Sequence, residues 1–161
     1  MKHLFKTAAL VCALTFTQAT FAPAFGEGGS GAPMDEAKMA EMVDAWYART
    51  AALSMKGEAG IEDVMALAHP EMTYIHTEYD ANMDRDGLIA GFKRRVARAV
   101  TRNSQSTITN RIAGKNMMAI TRDTSHERRT NEGWKTRESK GLTTVFLFRD
   151  AKIWRITEYW D

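Results

Sequence analysis

Cysteine is nearly absent from this sequence: the chain of 161 residues contains one, Cys12. Cys12 lies in an N-terminal segment that reads as a cleavable leader, so the remaining domain should contain no disulfide, no thiolate nucleophile and no cysteine metal ligand. The sequence also has no glycine-rich phosphate loop after a strand pattern and no serine nucleophile elbow. These absences predict a domain that is stabilised by its apolar core and that uses no cofactor.

A run of apolar residues long enough to cross a bilayer is also missing, but a short one follows two basic residues at the N-terminus. Lys2 and Lys6 precede eleven mostly apolar residues, 7–17, and Ala22-Pro23-Ala24 then fits a small-x-small cleavage site. A membrane span needs roughly 20 apolar residues. We therefore expect a cleaved signal peptide over residues 1–24 and a periplasmic or secreted protein. A glycine-rich, flexible lead-in at residues 25–33 should precede a single domain at residues 34–161.

The charge balance gives no sign of a nucleic-acid or membrane partner. The chain has 22 basic and 20 acidic residues, and without Lys2 and Lys6 the basic residues also number 20. The predicted mature protein is formally neutral, so neither nucleic acid nor, after cleavage, a membrane is an expected partner.

Apolar residues at helical spacing predict three helices. The first covers residues 33–55, where Gly57 and Gly60 break the pattern, and the second covers residues 61–68, where Pro70 stops it. Asp84 or Asp86 should cap the third. We assign one face of this third helix to the core and a basic face to solvent, with Leu88, Ile89, Phe92, Val96 and Val100 inside and Lys93, Arg94, Arg95, Arg98 and Arg102 outside.

A period of two predicts the strands. We expect one strand at residues 72–77, a turn at Asp80-Ala81-Asn82, and a meander of strands at 106–112, 116–129, 134–149 and 152–160. In the strand at 134–149, Leu142, Phe146 and Phe148 should share one face, and Val145 and Leu147 the other. Helices followed by an antiparallel meander indicate an α+β fold, with three helices packed on one face of a curved sheet.

Three segments carry a resemblance to a known superfamily. They are residues 63–76 (DVMALAHPEMTYIH), residues 86–92 (DGLIAGF) and the ending at residues 154–161 (WRITEYWD). In this order and spacing the chain resembles the nuclear transport factor 2-like superfamily, which includes ketosteroid isomerases, scytalone dehydratase and SnoaL-like polyketide cyclases. The resemblance implies a cone-shaped α+β fold, a curved and mixed sheet with an internal pocket, and commonly a homodimer formed through the outer face of the sheet.

The ketosteroid isomerase pattern can be placed on this chain position by position. The catalytic aspartate of the first strand falls at His76, and the helix-one tyrosine that donates to the oxyanion falls at Tyr47. The second acid falls at Thr144, which cannot replace a protonated carboxylic acid. The pocket aromatic of the last strand falls at Trp160. These departures argue against ketosteroid isomerisation, but a neutral imidazole at His76 is a good base near neutral pH, so His76 and Tyr47 are the predicted catalytic pair.

The remaining candidates come from alternation along the strands. Tyr74, His76 and Glu78 should share one face of the first strand, and Glu158 should share the pocket face of the last strand with Trp154, Ile156 and Trp160. Buried Glu158 would need a partner such as Arg122, His126 or His76, unless a bulge leaves it at the rim. The predicted pocket-lining residues are Trp46, Tyr74, Thr144, Glu158 and Trp160. A zinc set of His76, Glu78 and His126 is conceivable, but the spacing does not favour it, so we predict no metal.

Three functions remain open from the sequence. The first is an exported domain that binds a small hydrophobic or amphipathic molecule in the cone without chemistry. The second is a cofactor-independent isomerase, lyase or dehydratase that uses the His76–Tyr47 pair. The third is a non-catalytic dimerisation or docking module, which a pocket filled by its own side chains would favour.

Overall fold

A computed structural model describes residues 32–160 of the chain. The predicted signal peptide and most of the lead-in lie outside the described residues. No helix among those described is long and apolar enough to span a membrane.

The predicted first helix is two helices. α1 (Glu36–Ala51) begins at Asp35, whose carboxylate accepts a hydrogen bond of 2.9 Å from the Ala37 amide. It buries one apolar stripe against the sheet, made of Met39, Met42, Val43 and Trp46. The expected continuation to residue 55 is wrong, because the ψ angle of −8° at Ala52 ends the helix. α2 (Leu53–Lys56) follows, and its Leu53 is fully buried in the core.

The second predicted helix ends earlier than expected, and the first strand begins earlier. α3 (Glu58–Met65) follows Gly57, which has a positive φ of 63°. β1 (Ala68–His76) already includes Pro70, so Pro70 is not the helix stop that was predicted. The pairing of β1 with the last strand shifts register between Ala68 and Thr73. A proline, which lacks an amide donor, is tolerated at such an irregularity.

The residues expected to form a turn, 80–82, are divided between a turn and a strand. A 3-10 turn at Thr77–Tyr79 and the left-handed Asp80, with a φ of 47°, reverse the chain. Ala81 and Asn82 then belong to β2 (Ala81–Asp84), a short edge strand that pairs antiparallel with β1. The carboxylate of Asp84 accepts a 2.8 Å hydrogen bond from the Gly87 amide and caps α4 (Arg85–Arg98). Val100 and Arg102, predicted on this helix, lie beyond its end.

The four-stranded meander is present; its first strand is longer than the predicted 106–112, and the other three strands end within one residue of their predicted bounds. The strands are β3 (Thr101–Gly114), β4 (Met117–Thr130), β5 (Gly133–Arg149) and β6 (Lys152–Tyr159). The order in the sheet is β2-β1-β6-β5-β4-β3, and only β1 and β6 run parallel. The sheet is therefore mixed and open, and it curves around the helices as the predicted α+β cone.

The core fills the space between the helices and the inner face of the sheet. Phe146 and Phe148 of β5 are fully buried there, and the partly exposed Val145 and Leu147 alternate with them as predicted. Trp154 does not share the inner face of β6, because the β5–β6 register shifts next to it and Ile153 points inward instead. The displaced Trp154 ring stacks under the guanidinium groups of Arg149 and Arg155.

Candidate active site

The helices and the inner face of the sheet border a cavity of about 480 Å³. α1, α4 and all six strands contribute to it. Its aromatic wall is formed by Trp46, Tyr47, Tyr74, Phe92 and Trp160. Its charged and imidazole groups are Arg95, Arg122, His126 and Glu158. Serine and threonine side chains of β3 and β4 also line it, so the cavity suits a small molecule with an apolar body and polar groups.

Glu158 lies at the wall of this cavity with only 8% of its side chain exposed. Tyr74 Oη donates a hydrogen bond to Oε2 of Glu158. The same oxygen lies 3.7 Å from His76 Nε2. Arg122 Nη2 donates a longer hydrogen bond, of 3.5 Å, to the other oxygen, Oε1. The rim position that a bulge would have produced is thus excluded, and Oε1 is the less firmly held of the two carboxylate oxygens.

Burial is the dominant influence on this carboxyl. It raises the pKa of Glu158, because a charged carboxylate loses its hydration inside the protein. The hydrogen bond from Tyr74 and the charge of Arg122 act in the opposite direction without cancelling that effect. Burial and the neighbouring Glu158 charge also raise the pKa of Tyr74, which therefore stays a hydrogen-bond donor.

Tyr47 reaches the cavity from α1, as the sequence predicted. Its hydroxyl is buried and has no hydrogen-bond partner of good geometry. Burial raises the pKa of Tyr47 above its ordinary value, while Arg122 and the Thr144 hydroxyl lie close enough to lower it in part. The Arg122 guanidinium also stands over the Tyr47 ring, 4.7 Å from its centroid. Tyr47 is thus a neutral phenol whose proton is free to be donated.

His76 lies behind Glu158 and does not line the cavity, contrary to the expectation. It is 5% exposed and sits between the rings of Tyr79 and Trp160, at centroid distances of 4.3 and 4.5 Å. The parallel register of β1 and β6 pairs His76 directly with Glu158. Glu78 does not share its face, because the chain leaves the strand at Thr77 and Glu78 is exposed.

Thr144 is the other predicted lining residue that the structure places away from the cavity. It is fully buried in β5, opposite Glu158 in the antiparallel register of β5 and β6. Trp46, Tyr74, Glu158 and Trp160 do line the cavity. Of the three partners that the sequence left open for Glu158, Arg122 and His76 contact it and His126 does not; Tyr74 is a further partner that was not considered.

Two cavity residues were missed or misplaced by the sequence reasoning. Arg95 was assigned to the solvated face of its helix, but it lines the cavity from α4. His126, whose face was left open, lines it from β4. The signals were present: Arg95 follows Leu88 by seven residues and Phe92 by three, which is one helical face. His126 continues the inward alternation of Met118, Ile120 and Arg122.

The conceivable zinc set of His76, Glu78 and His126 is not assembled within residues 32–160. No group of three or more histidine, cysteine, aspartate or glutamate side chains there is close enough to hold an ion. His76 and His126, two members of the conceivable zinc set, occupy separate places at this site.

Comparison with known proteins places this geometry in a fold group. No family model and no curated protein matches the sequence. A hypothetical protein from Catenulispora acidiphila with a ketosteroid isomerase-like fold, solved in complex with trimethylamine, matches with a TM-score of 0.56 at 19% identity, covering 75% of this chain and 85% of that one.

Two further solved structures extend the comparison. One is described as a polyketide cyclase of Xanthomonas campestris pv. campestris (TM-score 0.57, 13% identity, 78% of this chain and 91% of that one). The other is an LEH-like epoxide hydrolase of M. tuberculosis (TM-score 0.56, 13% identity, 78% and 84%). At these identities the matches show a shared architecture. The chain therefore has the cone fold of the nuclear transport factor 2-like superfamily, as the sequence resemblance predicted.

Proposed function

We propose that this domain binds a small organic molecule in the cavity and catalyses a cofactor-independent proton transfer on it. The observation that carries the proposal is the buried Glu158 carboxylate at the cavity wall, oriented by Tyr74 and Arg122, with a raised pKa. Acid–base groups in active sites need a pKa moved towards the working pH, and burial next to specific partners is how proteins move it.

The roles follow from the contacts of the two oxygens. Oε2 is fixed by Tyr74 and faces His76, so Oε1 is the atom that takes a proton from the substrate. A carbon next to a carbonyl group is the natural proton donor, and the electron pair left behind moves onto the carbonyl oxygen. Tyr47 donates a hydrogen bond to that oxygen. Glu158, now protonated, returns the proton to another carbon in an isomerisation or to a leaving group in an elimination.

His76 has a different role here from the one the sequence indicated. Because it lies behind Glu158, we assign it as a positioning residue that holds the carboxylate and Trp160 in place. Glu158 and Tyr47 form the proposed catalytic pair in place of His76 and Tyr47.

A second candidate function is ligand binding without chemistry. The observation that favours it is that both oxygens of Glu158 already have partners within the protein, as in a purely structural cluster. The docking module receives less support, because the cavity is not filled by its own side chains.

Solvent deuterium exchange separates the catalytic candidate from the binding one. 2-Tetralone, a bicyclic ketone with acidic C–H bonds, is incubated in D₂O and its deuterium content is followed by mass spectrometry. We expect the wild-type protein to accelerate exchange and Glu158→Gln to lose about 10²–10⁴ of the acceleration. Glu71→Gln, at an exposed carboxylate paired with Arg149, is the matched control and should retain it. Equal rates in wild type and Glu158→Gln, or no acceleration by either, would contradict the proposal.

We also propose that the protein works outside the cytoplasm as a homodimer. The signal-peptide pattern of residues 1–24 supports export, and N-terminal sequencing of exported protein should find a start between Phe25 and Glu27; a start at Met1 would contradict it. A row of residues across the outer face supports dimerisation. Ile112, Ala119, Val145 and Thr157 pair with one another in turn from β3 to β6, and Ile112 is 60% exposed.

A further inference from the structure

Arg95 brings a positive charge into the cavity that the proposed proton transfer does not use. The cavity-lining residues of α4 follow the spacing of one helical face, namely Leu88, Gly91, Phe92 and Arg95. A second cavity of about 450 Å³ also has Arg95, Thr101 and Ser104 among its lining residues. Arg95 therefore borders both cavities, the second of which is also lined by Ser54 and Met55 of α2.

The charge of Arg95 is not balanced by the protein. Within residues 32–160, arginine side chains pair with carboxylates at Arg102, Arg111, Arg122 and Arg149, and none does so at Arg95. In the part of the chain that the structure describes, Glu158 is the only carboxylate that lines the main cavity, and its arginine partner is Arg122. Burial lowers the pKa of Arg95, which means that its charged form is poorly solvated where it stands. A bound anion would relieve that cost.

The surroundings of Arg95 contain several hydrogen-bond donors. Ser104 and Ser106 of β3, and Ser125 and His126 of β4, line the same cavity. The Ser106 hydroxyl oxygen is buried without a hydrogen-bond partner. Burial and the nearby Arg95 charge lower the pKa of His126, so the imidazole is neutral at neutral pH and does not repel Arg95. Hydroxyls and a guanidinium together suit a carboxylate, which accepts two parallel hydrogen bonds from an arginine.

We propose that Arg95 binds the carboxylate of an aromatic monocarboxylate whose apolar body packs against Trp46, Phe92 and Trp160. This inference rests on the proposed function and names the class of its substrate. A carboxylate at Arg95 fixes the direction of the molecule in the cavity. Like-charge repulsion keeps the carboxylate away from Glu158, so the uncharged part of the ligand, with its acidic carbon, faces the Glu158 carboxylate.

A pair of matched probes tests this assignment. 2-Naphthoate and 2-naphthamide share one apolar body and differ in charge, and neither has an acidic C–H bond. We expect the wild-type protein to bind 2-naphthoate about 10- to 100-fold more tightly in calorimetry, the range that a charge-assisted hydrogen bond gives. Arg95→Gln should lose the preference and Arg95→Lys should retain part of it. Arg94→Gln, at the exposed neighbour, should keep all of it. Equal binding of both probes, no binding of 2-naphthoate at millimolar concentration, or a preference that survives Arg95→Gln would each overturn the proposal.

A crystal of the wild-type protein with 6-bromo-2-naphthoate gives an answer that does not depend on any variant folding. The bromine signal fixes the direction of the ring. We expect the carboxylate within hydrogen-bond distance of the Arg95 guanidinium, and a carboxylate on Arg122 would overturn the assignment. The two proposals fail separately. If the protein accelerates deuterium exchange into 2-tetralone but does not prefer 2-naphthoate to 2-naphthamide, only the Arg95 proposal is wrong. If it prefers 2-naphthoate but does not accelerate exchange, only the proton-transfer proposal is wrong.

Discussion

Tyr74 and Glu158 are joined by a hydrogen bond between the first long strand and the last, 84 residues apart in the sequence. The parallel pairing of β1 and β6 brings the two residues together, since Tyr74 lies opposite Ile156 and His76 lies opposite Glu158. The bond holds one carboxylate oxygen and thereby turns the other towards the cavity. The proposed chemistry depends on this orientation.

Removal of the Tyr74 hydroxyl should therefore change both the stability of the protein and the pKa of Glu158. In Tyr74→Phe, we expect a loss of about 1.5–3 kcal/mol in the free energy of unfolding, because the hydroxyl bonds a charged group. The pKa of Glu158 should rise further, since this hydrogen bond lowers it. Urea unfolding measures the first effect. Tyr159→Phe, at a 53% exposed ring, is the control and should change little; equal losses in the two variants would contradict the role of the bond.

Glu158 should make stability fall as pH rises over a defined window. The ordinary pKa of a glutamate is 4.5, which we take for the unfolded chain, and burial raises the pKa of Glu158 in the folded protein. Between these two values the folded state binds more protons than the unfolded state, so the free energy of unfolding declines with rising pH. Glu158→Gln lacks this contribution. The stability of wild type minus that of the variant should decrease through the window and level off above the folded pKa; an increase would show that the folded pKa is depressed.

Arg122 supplies the countercharge of Glu158. The stability lost when Arg122 is replaced should therefore depend on pH. Arg122→Met leaves a buried carboxylate without its ion partner, which costs about 3–5 kcal/mol where Glu158 is ionised. Below the pKa of Glu158 the carboxyl is neutral and the cost should be smaller. Urea unfolding at acidic and at mildly alkaline pH measures both values. Arg111→Met, which removes a more exposed pair with Asp44, should cost less than about 1 kcal/mol at either pH. If Arg122→Met lowers the free energy of unfolding by the same amount at both pH values, the pairing of Arg122 with Glu158 is contradicted.

His76 should behave as a buried supporting residue. We expect His76→Ala to lower the free energy of unfolding by about 1–3 kcal/mol, because it leaves a gap between Tyr79 and Trp160. The preference for 2-naphthoate over 2-naphthamide should survive, since His76 does not line the cavity. Thermal unfolding and calorimetry measure the two properties. Unchanged stability with lost binding would mean that His76 contacts the ligand after all.

The outer row of the sheet should hold two copies together. Val145→Asp would bury a charge at the centre of that surface and should convert a homodimer into monomers with the fold intact. Light scattering coupled to size exclusion measures the mass. Glu132→Gln, at an exposed turn, is the control. A monomeric wild-type protein at high micromolar concentration would contradict the dimer.

Local patterns were sufficient for the parts of the fold that a single element defines. The buried stripe of α1, the Asp84 cap and the inward alternation of Phe146 and Phe148 are all fixed by neighbours in the sequence. β2 was missed because four residues beside a turn carry too little pattern. The split between α1 and α2 was missed because Leu53 remains in phase with Trp46 although the helix is interrupted at Ala52.

The site was harder to predict, because it depends on pairing between distant strands. The Tyr74–Glu158 bond needs the parallel register of β1 and β6, which no local spacing encodes. The position of Trp154 outside the inner face of β6 results from the register shift between β5 and β6, which local alternation does not reveal. Arg95 was misassigned for a different reason: its charge suggested solvent, although its helical phase with Leu88 and Phe92 pointed to the cavity.

The titration of Glu158 itself tests the proposed catalytic role of this carboxyl most directly. With glutamate labelled by ¹³C at the side-chain carboxyl, the resonance that disappears in Glu158→Gln is assigned to this residue and followed with pH. We predict a midpoint above the ordinary value of 4.5 and a change in that resonance when 2-tetralone occupies the cavity. A midpoint at or below that value, in a resonance that does not respond to the ketone, would contradict that role.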